Sequence, residues 1–215
     1  MQIIEIYKSL QRESSYAGLP CIFVRLAGCN LRCVWCDSEY TFTGGKRMRL
    51  DDIEQEVHRL LPDGGLVEIT GGEPLLQERE AVPLMDRLLG AGYTVLLETS
   101  GEQPLERVPP QVVKIVDVKC PDSGEADTFN LENLKWLGPR DEVKFVIGSR
   151  GDYEWSVARM AEHQLARRCG AVLFSPVFGR IEPRLIVEWM LADKVEARFQ
   201  LQMHKFIWDP KAKGV

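Results

Sequence analysis

The chain has 215 residues, with 27 Lys and Arg against 32 Asp and Glu, a formal charge of −5 that speaks against a nucleic-acid surface. Hydrophobic residues make up 45% and charged residues 27%, the composition of one ordinary globular domain that can bury a core without disulfides. No apolar run is long enough to span a membrane, and the opening Met1-Gln2-Ile3-Ile4-Glu5 lacks the basic and apolar regions of a secretion signal. A reducing cytosolic setting is therefore expected, where clustered cysteines serve as metal ligands more often than as disulfides.

In chain order, β-rich runs alternate with helical ones. A strand is expected at Ile22–Leu26, then a helix at Leu50–Leu61 with Asp51 as N-cap and Ile53, Val57, Leu60 and Leu61 at helical spacing. A strand at Leu66–Thr70 and a helix at Ala81–Leu89 follow. Strands come next at Thr94–Glu98, Lys114–Val118 and Val143–Ile147, then a helix at Asp152–Arg168 and a strand at Val172–Phe174. A helix at Pro183–Leu191 precedes a last extended run at Arg198–Leu201. Several strands are continuous apolar runs, as parallel strands covered on both faces are. The alternation predicts an α/β fold with right-handed crossovers. Six units are too few to close an eight-unit barrel, so the expected architecture is an open partial (β/α)6 barrel in one domain, residues 1–215, with its site at the C-terminal ends of the strands.

The loop after the first of these strands reads Gly28-Cys29-Asn30-Leu31-Arg32-Cys33-Val34-Trp35-Cys36-Asp37. CxxxCxxC places three thiolates where they can hold an iron–sulfur cube, and soft thiolates suit such clusters. Cys21, Cys120 and Cys169 stand apart, with no second CxxC to complete a tetrad. A structural zinc site is the competing reading, but zinc takes four protein ligands from paired motifs, and no second pair is present. The next strand ends in Thr70-Gly71-Gly72-Glu73-Pro74, where two glycines let the backbone approach a ligand closely.

Together the cysteine loop and GGEP turn resemble the radical S-adenosylmethionine (radical SAM) enzymes. In these a three-cysteine [4Fe-4S] cluster leaves one iron for the amino and carboxylate groups of SAM, and GGEP holds the SAM amino group. The stretches Ser9-Leu10-Gln11-Arg12-Glu13, Phe23-Val24-Arg25-Leu26, Cys36-Asp37-Ser38-Glu39-Tyr40-Thr41-Phe42 and Leu201-Gln202-Met203-His204-Lys205 are similar to the 7-carboxy-7-deazaguanine synthase family. Arg12 and Ser14 depart from that family's QGEG pattern, replacing both glycines.

The resemblance implies conversion of 6-carboxy-5,6,7,8-tetrahydropterin to 7-carboxy-7-deazaguanine with loss of ammonia, toward queuosine and related 7-deazapurines. It implies a [4Fe-4S] cluster on Cys29, Cys33 and Cys36, SAM, and a magnesium ion on Ser38, whose hydroxyl suits a hard cation. SAM contacts are expected from Trp35, Asp37, Gly71, Gly72, Glu73, Ser100, Lys119 and Ser175. Substrate contacts are expected from Leu10, Gln11, Arg12, Glu13, Arg25, Thr70 and His204. Arg25 offers a planar fork for the substrate carboxylate, and Gln11 and Glu13 offer an amide and a carboxylate for the pterin edge. His58 and His163, in helical patterns, are read as surface residues. An external electron donor such as flavodoxin or ferredoxin would reduce the cluster, so that SAM yields a 5′-deoxyadenosyl radical that takes hydrogen from C6 of the pterin. Open sheet edges would allow a homodimer. A glycyl-radical activase, an electron carrier and a zinc-stabilised binding module remain as alternatives, the first without need of Arg25, Glu13 or Ser38 and the other two without SAM cleavage.

Overall fold

The computed structural model describes residues 1–215. Six parallel strands form its centre: β2 (Pro20–Leu26), β4 (Leu66–Gly71), β5 (Thr94–Thr99), β6 (Val113–Asp117), β7 (Glu142–Ile147) and β8 (Ala171–Pro176). On one side lies β1 (Gln2–Leu10), antiparallel to β2, with β3 (Lys46–Arg47) beyond it; on the other, β9 (Arg198–Phe199) continues in parallel. The order β3-β1-β2-β4-β5-β6-β7-β8-β9 does not close. No helix is long and apolar enough to cross a membrane.

The two-residue period of a strand divides its side chains between two environments. Ile22, Val24, Val67, Ile69, Val95, Leu97, Val143, Phe145, Val172 and Phe174 point outward into one continuous core. That core is covered by α1 (Leu50–Leu60), α2 (Glu78–Gly90), α3 (Arg150–Glu162), α4 (Leu165–Arg168) and α5 (Pro183–Asp193). The alternate residues Cys21, Phe23, Leu66, Leu96, Val113 and Ile115 form a separate, smaller cluster inside the curve. Further along the same strands the inward positions turn polar: Arg25, Glu68, Thr70, Glu98, Asp117 and Lys144. That switch separates the base of the half-barrel from its working end.

Several elements differ from the sequence expectation. β1 is absent from it, because Gln2–Leu10 alternates apolar and polar residues only loosely and lies before the first purely apolar run. Asp51 is not the N-cap of α1. Arg49 holds that position without a side-chain bond, while Asp51 sits in the first turn and pairs with Arg87 at 2.6 Å, where its charge also opposes the helix dipole. The helix expected at Asp152–Arg168 starts at Arg150 and breaks at Gln164, whose φ of 53° is left-handed. No α-helix joins β5 to β6, and β6 reaches β7 through two 3₁₀ turns, Pro121–Ser123 and Leu131–Trp136. The edge strands β3 and β9 have two residues each, and β3 pairs only with Gln2 and Ile3, so β1 keeps an open edge beyond them.

Candidate active site

The cysteine loop and the GGEP turn are built against each other. Glu73 N–H donates to the Gly28 carbonyl at 2.8 Å and Gly72 N–H to the Leu26 carbonyl at 3.3 Å. A Cβ on Gly72 would lie 2.2 Å from Gly28 O and 2.7 Å from Cys29 Cβ, and one on Gly71 2.3 Å from Leu26 O, so only glycine lets the two backbones meet. From the other side Val34 N–H donates to Ser123 O at 2.9 Å. Cys29, Cys33 and Cys36 line the resulting cavity and are half-buried, whereas Cys21, Cys120 and Cys169 are buried elsewhere. Burial pushes the Cys29 thiol up and the Cys33 thiol up to about 11, so a metal that binds them displaces protons. No group of His, Cys, Asp or Glu converges as ligands of a single ion, and a four-iron cube held by one cysteine at each of three corners does not require it. The donor set, soft thiols beside a backbone cradle that a Cβ would fill, fits the cluster. The Trp35 ring faces the Arg180 guanidinium at 4.8 Å and lines the same cavity.

A buried ionic network forms the cavity floor. Lys144, with 2% of its side chain exposed, reaches Glu98 at 2.5 Å, Glu13 at 2.9 Å and Asp117 at 3.4 Å. Burial alone would favour the neutral amine, but Glu13, Glu98 and Asp117 reverse this and hold it protonated. Lys119 pairs with Asp117 at 3.0 Å. Burial opposes its charge too, and the Asp117 carboxylate restores it.

The rim lies between β1 and the loop after β9. Arg25 donates from Nε to Glu5 at 2.8 Å and from Nη2 to the Tyr7 hydroxyl at 3.0 Å. Tyr40 donates to the same Glu5 at 2.9 Å. Arg12 donates to the Tyr7 hydroxyl at 3.1 Å, stacks over Phe23 and reaches the Val215 carbonyl, drawing Pro210–Gly214 along the cavity. His204 opens α6 (His204–Ile207) with Nε2 3.6 Å from Asp37 and Nδ1 3.8 Å from Glu13. His204 and Lys205, the latter at 3.0 Å, hold the half-exposed Asp37 carboxyl well below the usual carboxylate range. Ser38 Oγ lies 3.3 Å from Asp37 Oδ1 and lines the cavity, an oxygen donor suited to a magnesium ion that keeps other oxygen ligands.

Of the residues singled out in the sequence, Cys29, Cys33, Trp35, Cys36, Asp37, Ser38, Gly71, Gly72, Ser100 and Lys119 line this one cavity, as do Arg12, Glu13, Arg25, Thr70 and His204. Four do not. The Glu73 carboxylate is wholly buried and accepts from Thr99 Oγ1, Ser100 N, Ser100 Oγ and Leu75 N at 2.7–3.0 Å; it ties the GGEP turn to the end of β5 instead of facing SAM. Gln11, 2% exposed, spends its amide on Glu68 at 2.8 Å and on the Glu13 and Ser14 N–H groups, so it shapes the loop from behind. Leu10 ends β1 opposite Pro20. Ser175 is fully enclosed on β8, with no protein partner for its hydroxyl. Glu68, Glu98, Asp117 and Lys144 also line the cavity and are not among the residues the motifs single out. Their signal was present: single charged residues at alternate positions of otherwise apolar strands.

The radical SAM superfamily model matches residues 24–118, the stretch that carries the cysteine loop and the GGEP turn. Half-barrel and loop together define a radical SAM protein. A "7-carboxy-7-deazaguanine synthase" of Koribacter versatilis is 57% identical over 227 positions, covering 100% of both chains. One of Chlorobaculum tepidum, with the same description, is 45% identical over 219 positions, covering 100% of this chain and 97% of its own. The chain belongs to the 7-carboxy-7-deazaguanine synthase family. The crystal structure of QueE from Escherichia coli shares the fold, with a TM-score of 0.76 over 94% of this chain and 93% of its own at 24% identity.

Proposed function

We infer that the protein is a radical SAM lyase that converts 6-carboxy-5,6,7,8-tetrahydropterin to 7-carboxy-7-deazaguanine with loss of ammonia, in queuosine and 7-deazapurine biosynthesis. The observation that carries this reading is that the three-cysteine loop, the glycine turn and a rim holding two arginines line a single cavity. Its cofactors are a [4Fe-4S] cluster, SAM and magnesium. In the proposed assignment Cys29, Cys33 and Cys36 hold the cluster. Trp35, Asp37, Gly71, Gly72, Ser100 and Lys119 position SAM, and Ser38 supplies a magnesium ligand. When reduced and loaded, the cluster and SAM supply the hydrogen-abstracting radical. The protein's own residues bind and orient the pterin and keep water from it. One domain, residues 1–215, performs this, with an external reductant such as flavodoxin or ferredoxin and a cytosolic location as part of the same reading. A homodimer is part of the same reading, with the open edge of β1 available to it, and the mass in solution decides it.

Arg25 is assigned to the substrate carboxylate. Glu5 and Tyr7 fix its guanidinium at the cavity wall, so the fork is oriented before substrate arrives. Loss of a buried charged hydrogen-bond pair costs about 2–5 kcal/mol. Arg25→Ala is therefore expected to lower turnover efficiency by more than about tenfold, and Arg25→Lys to recover only part, since an ammonium lacks the fork. Equal efficiency of Arg25→Ala and the unaltered enzyme would remove Arg25 from the site. For Ser38, replacement by Thr keeps the hydroxyl and the activity, while replacement by Ala weakens the magnesium dependence and spares SAM binding. An unchanged magnesium titration in Ser38→Ala would show that the ion lies elsewhere.

The function itself is tested by anaerobic incubation of the reduced protein with SAM and the tetrahydropterin, read by mass spectrometry. Deazaguanine and ammonia are expected, with poor reaction of the pterin that lacks the carboxylate. SAM cleavage with neither product contradicts the reading.

A further inference from the structure

Glu68 is the buried carboxylate of the cavity floor to which the assignment above gives no task. It sits in the middle of β4, 1% exposed, and lines the cavity beside Glu98 of the neighbouring β5. Gln11 Nε2 donates to Glu68 Oε2 at 2.8 Å. Lys144 is committed to Glu13, Glu98 and Asp117, so the ammonium that charges Glu98 does not reach Glu68. The other groups facing Glu68 are the Cys21 thiol from β2 and the Arg12 guanidinium from the loop after β1. Two adjacent carboxyl groups, one of them buried, do not readily both ionise. Burial and the Glu98 charge raise the pKa of Glu68 well above the usual carboxylate range, while Lys144 overcomes the burial of Glu98 and keeps it anionic. Glu68, buried and with no cation in contact, is thus the carboxyl that keeps a proton, and Glu98, held by Lys144, is the one that is ionised.

We propose that Glu68 and Glu98 are the acid and base of ammonia loss, Glu68 giving its proton to the departing nitrogen and Glu98 taking one from the adjacent ring carbon. The C–N bond breaks with its electron pair on nitrogen, and nitrogen takes the Glu68 proton and leaves as ammonia. The C–H pair released to the ring as Glu98 takes its proton forms the new double bond. The dyad begins and ends with one proton, and the step needs no oxidant or reductant. This inference rests on the proposed function and adds to it the residues that complete the reaction after ring contraction.

The test separates elimination from hydrogen abstraction. Glu68→Gln keeps the side-chain shape against Gln11 but has no acidic proton to give. With substrate deuterated at C6, the variant is expected to load iron, cleave SAM and pass label to 5′-deoxyadenosine as the unaltered enzyme does. It should form 7-carboxy-7-deazaguanine about 100-fold or more slowly, with an amine-bearing isomer of the substrate accumulating once the ring-contracted radical has taken one hydrogen back from the methyl group of 5′-deoxyadenosine, which retains part of the label. Deazaguanine at the unaltered rate would overturn the proposal, and so would label transfer that falls in step with product, which marks a structural or binding role. The unaltered enzyme gives an independent reading. The ratio of deazaguanine to labelled 5′-deoxyadenosine should fall as rising pH removes the Glu68 proton, and a ratio flat with pH overturns the proposal. Absence of label transfer from the unaltered enzyme would instead overturn the function on which the inference rests.

Discussion

Alanine at Cys29, Cys33 or Cys36 is expected to abolish both the iron–sulfur absorption and SAM cleavage, whereas alanine at Cys120 or Cys169 leaves both in place. After anaerobic reconstitution the unaltered chain should hold about four irons. Each of the first three thiols lines the cavity on one short loop, and with the fourth iron left to SAM no spare protein thiol can substitute for a missing one. Cys120 lies 3.4 Å from the Ser156 hydroxyl and Cys169 is buried in the core facing the helices, so removing either costs packing and not a ligand. Stoichiometric zinc without iron–sulfur absorption would falsify the cluster assignment.

The second large effect concerns Lys144. Replacing it by Met keeps the length and apolar stem but leaves Glu13, Glu98 and Asp117 facing one another without their shared cation. Because 2% of the side chain is exposed, water screens little of this. Breaking a buried ion pair from one side costs about 3–5 kcal/mol, which for a domain of this size lowers the melting midpoint by about 6–20 °C. Some of the loss should be recovered at lower pH, as the orphaned carboxylates take up protons and cease to repel. Calorimetry of Lys144→Met under anaerobic conditions measures it. A midpoint equal to that of the unaltered protein would mean that the network is worth no more than a surface pair.

Much of the fold could be read from the sequence because its six central strands are nearly pure apolar runs, which parallel strands covered on both faces must be. β1 could not. It pairs antiparallel at the side of the sheet, carries polar residues on its cavity face, and places Glu5 and Tyr7 where they hold Arg25. The cysteine loop and the glycine turn were legible because their chemistry is local: ligand spacing and backbone approach are properties of a few adjacent residues. The floor was not, since Glu68, Glu98, Asp117 and Lys144 come from four separate strands and meet each other and Glu13 only when the sheet curls. Glu73 shows the opposite case, a motif residue whose carboxylate proves to be a tie between β4 and β5.

Transfer of deuterium from C6 of the tetrahydropterin to 5′-deoxyadenosine, followed in the same reaction as deazaguanine formation, tests the account's central claim most directly. The geometry predicts labelled 5′-deoxyadenosine together with 7-carboxy-7-deazaguanine when SAM, reductant and magnesium are present. Unlabelled 5′-deoxyadenosine from SAM cleavage, with the pterin recovered intact, would contradict it and point to a different substrate for this cavity.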